Sequence, residues 1–191
     1  MTLTDYFIQG GPIMYLILFI SVLGFAVFIE RYMYLRNFLF CGRAILESIR
    51  KAGPFQADKA AAECDNYPGP ASAIIKAGVE VSGSPSGAID QAMESAARNQ
   101  LPGINRLVHV LATVSSIATL LGLLGSVLGL MVPVNINRAL ISSAFGLCVA
   151  IPSIAGYNSI AAKIDIVLSE IETWTEEFIK IAAMRPERSK W

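Results

Sequence analysis

At 191 residues with 15 basic and 15 acidic side chains, the chain carries no net charge, and no basic stripe separates from its intermixed acids, which excludes nucleic acid as a partner. Hydrophobic residues make up 54% and charged residues only 16%, with a mean hydropathy of +0.54, more apolar than a soluble domain of this size needs. A lipid bilayer is the partner this composition fits.

The first predicted element is a membrane span, because Tyr6 to Ile29 holds no charged residue until Glu30 and Arg31 close it. Met1 to Asp5 has no basic residue and the apolar run exceeds a signal-peptide core, so the span is expected to stay as an anchor. Apolar positions in Phe38 to Ile49 carry the helical period onward. Pro54, Pro68 to Pro70 and Gly83 to Ser86 then delimit short helices near Ala57 to Cys64 and Ala71 to Val81. Ser86 to Asp90 reads as a further helix start with an acid in its first turn, and Pro102 and Gly103 are expected to kink or interrupt that helix. About seventy-five residues here cannot bury a large core alone and should pack on neighbouring helices or subunits.

Val110 to Val132 and Ala139 to Ala162 are uncharged. Each supplies roughly twenty-three residues, enough at 1.5 Å per residue for a hydrocarbon core of about 30 Å. The link between them is short, so they form a tight antiparallel hairpin. Ser115, Thr119, Gly122, Ser126 and Gly129 share one face of the second span; Ala139, Ser143, Gly146, Ala150, Ser153 and Tyr157 share one face of the third. Small residues at this spacing let helices approach closely, and Gly125 with Gly129 forms a GxxxG pair. The same hydroxyls, lining a wetted crevice, have a second use in conducting protons or holding an ion. Pro152 breaks the hydrogen-bond ladder near Cys148, as a hinge or a tolerated kink. Beyond the third span, Ile164, Val167, Leu168, Ile171, Trp174, Phe178 and Ile181 predict an amphipathic extension, packing on its own subunit or forming a seam between subunits.

The basic residues fix an expected orientation. Arg31, Arg36, Arg43, Arg50 and Lys51 follow the first span, Arg98 and Arg106 precede the second, and Lys163, Lys180, Arg185, Arg188 and Lys190 follow the third. Cationic flanks stay cytoplasmic, which puts the amino terminus outside and the carboxyl terminus inside. The expected fold is all-α, a polytopic membrane protein with three transmembrane helices, long pore helices extending into the cytoplasm and a small helical insertion. Its parts are residues 1–36, the outer terminus and first span; 37–106, the cytoplasmic helices; 107–163, the transmembrane hairpin; and 164–191, the amphipathic helix and tail. One histidine, His109, and three cysteines in no zinc-like spacing offer no catalytic constellation, metal site or cofactor site, so no enzyme is expected.

Gly10, Gly11 and Pro12 through Tyr15, then Ile29, Glu30, Arg31, Tyr34, Leu35 and Arg36, resemble the opening of the ExbB/TolQ/MotA proton-channel family, in its ExbB and TolQ branch. LATVSSIATLLGLLGSVLGL from Leu111 and ALISSAFGLCVAIPSIAGYN from Ala139 resemble that family's two pore helices, and YPGPASAIIKAGVE from Tyr67 is also similar to it. The resemblance covers nearly the whole chain. It implies a bacterial inner-membrane subunit, five copies of which surround the transmembrane helices of an ExbD-, TolR- or MotB-like partner. That partner's membrane aspartate takes up and releases protons, and the resulting motion reaches the envelope through a TonB- or TolA-like protein.

By the same resemblance the family's pore threonines correspond to Ser126 and Ser143, with Thr119 a lesser pore-lining candidate, while Gly122, Gly125, Gly129, Gly146 and Pro152 serve helix packing. The family's pore glutamate corresponds to Arg138, and the link between the pore helices is shorter than the family usually shows. An arginine stays protonated and cannot carry a proton in the glutamate's stead. At mid-membrane it would cost about 2.5 kcal/mol or more, so Arg138 is expected at the outer interface beside Asn135 and Asn137. Two function classes follow: a conducting subunit of a proton-driven energy transducer, or a non-conducting structural scaffold of the same fold. A small-solute transporter has neither inverted repeats nor a charged pocket to support it.

Overall fold

The computed structural model describes residues 12–52, 55–131 and 136–183, apart from the side chains of Asn137 and Arg138. The start of the first span at Tyr6, the link at 132–135, the tail from 184 and the environment of Arg138 lie outside the described residues. Among the described residues six helices follow one another: α1 (Pro12–Lys51), α2 (Ala57–Asn66), α3 (Pro70–Glu80), α4 (Ser86–Asn105), α5 (Val108–Met131) and α6 (Ile136–Ala183). The fold is all-α, with no strand among the described residues. Three helical stretches are long and apolar enough to cross a membrane: Pro12–Lys51, Ser86–Met131 and Ala139–Ala183. Only 22%, 33% and 22% of their most apolar windows are buried inside the chain, so Phe19, Phe25, Leu120, Leu130 and Leu140 stand exposed. Water does not tolerate an apolar surface of that extent, and the protein is a multi-pass membrane protein.

The chain forms two compact units, residues 1–32 with 106–162, and 33–105 with 163–191. In the first, α5 and α6 run antiparallel, as the pairing of Gly129 with Ala139, Gly122 with Gly146 and Ser115 with Ala150 requires. The first half of α1 completes this unit through Gly24 on Val114 and Phe28 on Gly156. A cleft of about 420 Å³ opens beside them, lined by Ser21, Phe25 and Phe28 of α1 and by Cys148, Pro152 and Ser153 of α6. α6 is unbroken through Pro152.

In the second unit the end of α1 runs beside the end of α6. Trp174 is 1% exposed and stacks on Phe38 with ring centroids 5.5 Å apart, over a floor that Gly42 leaves open. Phe178 meets Phe55 edge-on at 5.7 Å. Arg43 pairs with Glu170, and Arg50 with Glu177 at 3.6 Å, one heptad further along both helices. The Arg43 guanidinium holds the Glu170 carboxyl below the usual range. The stripe foreseen after the third span is thus turned inward on its own subunit, and only Leu168 of that stripe is left exposed. α2 and α3 are tied by Ser72 Oγ donating to the Cys64 carbonyl at 2.6 Å and by Lys76 to Asp65 at 2.8 Å. Burial pushes the Cys64 thiol up to about 11, which leaves it an inert core residue.

Two local expectations need correction. The first turn of α4 holds no acid, since Asp90 falls just beyond it; the Pro85 carbonyl accepts from Ala88 N at 2.8 Å instead. Pro102 does not interrupt α4, which continues to Asn105. The break comes at Leu107, whose φ of 67° lies in the left-handed region, and Val110 N then bonds the Leu107 carbonyl at 3.0 Å to start α5. A leucine there is strained by about 1–2 kcal/mol.

Candidate functional site: the hydroxyl-lined hairpin

The hairpin packs through glycine. A Cβ on Gly146 would sit 2.7 Å from the Gly122 Cα and 2.8 Å from the Ala118 carbonyl oxygen, so backbone meets backbone here. Gly125 is filled by Ser142, and Gly129 abuts Ala139. The buried line of α5 is therefore Ala118, Gly122, Gly125 and Gly129, and that of α6 is Ala139, Ser142, Gly146 and Ala150. Both lines step by three or four residues, as helix neighbours must.

The sequence stripes are rotated slightly from these contact lines. Ser126 and Ser143 lie on their flank, both half-buried, and Thr119 is exposed. The flank is what brings Ser126 and Ser143 together: their oxygens are 2.6 Å apart. Ser126 Oγ also lies 3.1 Å from the Gly122 carbonyl and 3.0 Å from the Ala139 carbonyl, both of which only accept. When Ser126 directs its single proton to a carbonyl, Ser143 must donate to Ser126; when Ser126 donates to Ser143, the order reverses. A pair with two hydrogen-bond directions is the element a proton relay needs.

Thr119 donates to the Ser115 carbonyl at 3.0 Å and Ser153 to the Val149 carbonyl at 2.8 Å, each one turn back. Ser115 bonds across the hairpin to the Ala150 carbonyl at 2.9 Å and is buried. The Ala150 carbonyl thereby gains a donor from the neighbouring helix. Ser142, 0% exposed, did not stand out in the sequence beside Ser143. Its signal was the step of three from Ala139 and of four to Gly146. Among the described residues of 12–29, 110–131 and 139–162 no Asp, Glu or Lys appears, and no group of histidine, cysteine and acidic residues among the described residues could hold a metal ion.

The family model described as the MotA/TolQ/ExbB proton channel family matches residues 67–134 and 132–173, together more than half of the chain. The chain belongs to the MotA/TolQ/ExbB proton channel family. The two matched pieces overlap at residues 132–134, within the link between α5 and α6. Among its relatives, a putative biopolymer transport protein ExbB homolog of Methanothermobacter thermautotrophicus is 30% identical, over 90% of this chain and 67% of that protein. The Tol-Pal system protein TolQ of Haemophilus influenzae is 29% identical over 48% of this chain and 47% of its own length. TolQ of Pseudomonas aeruginosa is 31% identical over 47% and 48%. The matches to the two TolQ proteins thus span about half of each protein's length, and the relatives support the ExbB and TolQ branch of the family.

Proposed function

We propose that this chain is the multi-span subunit of an inner-membrane complex that converts the proton motive force into work on the cell envelope. Copies of it, five by the family resemblance, form a channel around the membrane helices of an ExbD- or TolR-like partner, and a TonB- or TolA-like protein carries the motion onward. The amino terminus is outside and the carboxyl terminus cytoplasmic. Ser126 and Ser143 face the partner's helix with Thr119 nearby, and Gly122, Gly125, Gly129 and Gly146 hold the two walls of the channel together. Pro152 belongs to the same packing.

The observation that carries this reading is the reversible hydroxyl pair at 2.6 Å, on the flank of a glycine-packed hairpin that offers no carboxylate of its own. A hydroxyl can pass a proton but cannot store one, so a partner has to bring the titrating acid. The test is proton flux into vesicles holding the full chain with and without an ExbD-type partner. Flux that requires the partner, and falls about tenfold or more when Ser126 and Ser143 both become alanine, is the expected result. Equal flux with and without the partner defeats it.

Arg138 supports a second reading, a non-conducting scaffold of the same fold, since a fixed cation stands at the family's glutamate position. Under that reading Arg138→Glu changes no measured flux; under the conducting one it alters it.

A further inference from the structure

The serine pair does not stand alone on α5. Thr119 lies one heptad from Ser126 toward the start of the helix, Ser116 three residues further, Thr113 three beyond that, and His109 one turn below. At about 100° per residue the series winds part-way round the helix, from the flank that carries Ser126 to the exposed side that carries Thr113 and His109, so these side chains mark a path that water has to complete, above all over the roughly 10 Å between Thr119 and Ser126. From Ser126 to His109 it covers about 26 Å of helix, close to the depth of the hydrocarbon core.

Ser116 Oγ donates to the Ala112 carbonyl at 3.1 Å and Thr113 Oγ1 to the His109 carbonyl at 2.9 Å, as Thr119 does to Ser115. Each hydroxyl oxygen thereby turns its lone pairs outward as acceptors. His109, Thr113, Ser116 and Thr119 are exposed, while Leu111, Val114, Ala118 and Gly122 on the other side of the helix are buried.

A track of hydroxyls and water moves protons only if something at its end exchanges them with the solvent. His109 is the chain's single histidine, at the end of α5 opposite the serine pair. Imidazole is the side chain that both accepts and releases a proton near neutral pH, through two separate nitrogens. The charged and titratable groups near its level are Arg106 just before α5, the Glu30–Arg31 pair at 2.8 Å on α1, and Tyr157 on α6, whose neighbour Gly156 faces Leu111.

We propose that His109 is the exit station of the proton path, a role that rests on the conducting reading above. One ring nitrogen accepts a proton from water held on the Thr113 hydroxyl oxygen, and the other nitrogen releases its proton to cytoplasmic water. The ring is then neutral in the other tautomer, a tautomer exchange restores the first, and no other reactant is consumed.

The test uses the full chain with an ExbD-type partner in vesicles, reading proton flux against the pH on the His109 side. His109→Gln is expected to lower flux about tenfold and to flatten that pH profile. His109→Ala is expected to fall alike and to regain flux when imidazole is added on the His109 side but not the other, whereas Ser126→Ala gains nothing from imidazole. A His109→Gln protein that conducts as the parent does, or rescue from either side, overturns the role of His109 while leaving the conducting reading intact. A parent chain that conducts no more with its partner than without defeats both.

Discussion

At the scale of single residues, Gly146 is a position where a methyl group has nowhere to go. The atoms a Cβ would meet are a Cα and a carbonyl oxygen, which no side-chain rotation can move. Gly146→Ala should therefore push α5 and α6 apart and destabilise the hairpin by about 1–3 kcal/mol, the usual cost of overpacking. Gly103, in the body of α4 with nothing within 4 Å of a built Cβ, is the control. Gly103→Ala should be neutral or raise stability by up to about 1 kcal/mol through helix propensity. Thermal unfolding in detergent compares the two. Glu170 gives a pH signature of its own. Its folded pKa is depressed by Arg43, so the pair's stabilisation is present above the ordinary glutamate range and fades as pH falls through that range and below. Melting temperature should drop on acidification by less in Glu170→Gln than in the parent. An identical acid slope in both would remove the pair from the account. The cost at neutral pH should stay small, because the Arg43 side chain is 65% exposed and water screens the pair.

Among the elements, the packing of α1 on α6 in the second unit depends on one large residue set into one small one. A Cβ on Gly42 would lie 2.1 Å from the Trp174 ring. Trp174→Ala should cost about 3–5 kcal/mol and Gly42→Ala a comparable amount, while the double variant should cost clearly less than the sum, since the alanine methyl then enters space the ring has left. Simple additivity in urea unfolding would mean that the two positions do not share that space. The Trp174 Nε1 makes no hydrogen bond of ordinary length and angle among the described residues, although it helps to depress the Glu170 carboxyl, so Trp174→Phe should be milder than Trp174→Ala. Most of these elements were legible in the sequence: Phe38 to Ile49 carried the helical period past the span, and the interval from Ile164 to Ile181 kept it with acids off the stripe. The partner of that stripe was not legible, because the period names a face but not what covers it; Phe38, Gly42 and Phe55 had to be seen beside it. Of the kink or interruption expected at Pro102, the interruption is overturned. Proline removes one hydrogen bond but does not end a helix whose other turns are held, and the turn residue proved to be Leu107, which no turn preference marks. In the hairpin the small-residue spacing revealed both helices, but a rotation of one residue separates Thr119 and Ser126 from the buried line of Gly122 and Gly125. That difference decides whether a hydroxyl is buried in the helix contact or left on its flank.

For the whole molecule, the lengths of α1 and α6 frame the last argument. Forty and 48 residues extend about 60 and 72 Å, roughly twice the hydrocarbon core, so each helix must leave the bilayer for about half its course. The exposed side chains show which half. Tyr15, Leu18, Phe19, Val22 and Phe25 line the early part of α1, and Arg36, Arg43, Glu47, Arg50 and Lys51 the late part. The proposed orientation, in which the cations stay on the cytoplasmic side, requires that the late part of α1 and helices α2 to α4 be reachable from that side alone. Lys51 is the place to ask: it ends α1, its side chain is 72% exposed and its pairing with Glu47 is a surface contact that does not shield the backbone beyond it. Trypsin should cut after Lys51 in inverted membrane vesicles and leave the Lys51 bond intact when added to right-side-out spheroplasts. Cleavage after Lys51 from outside would reverse the orientation. It would also move the His109 end of the hydroxyl track to the outer face, so that the proton would enter where it is here said to leave.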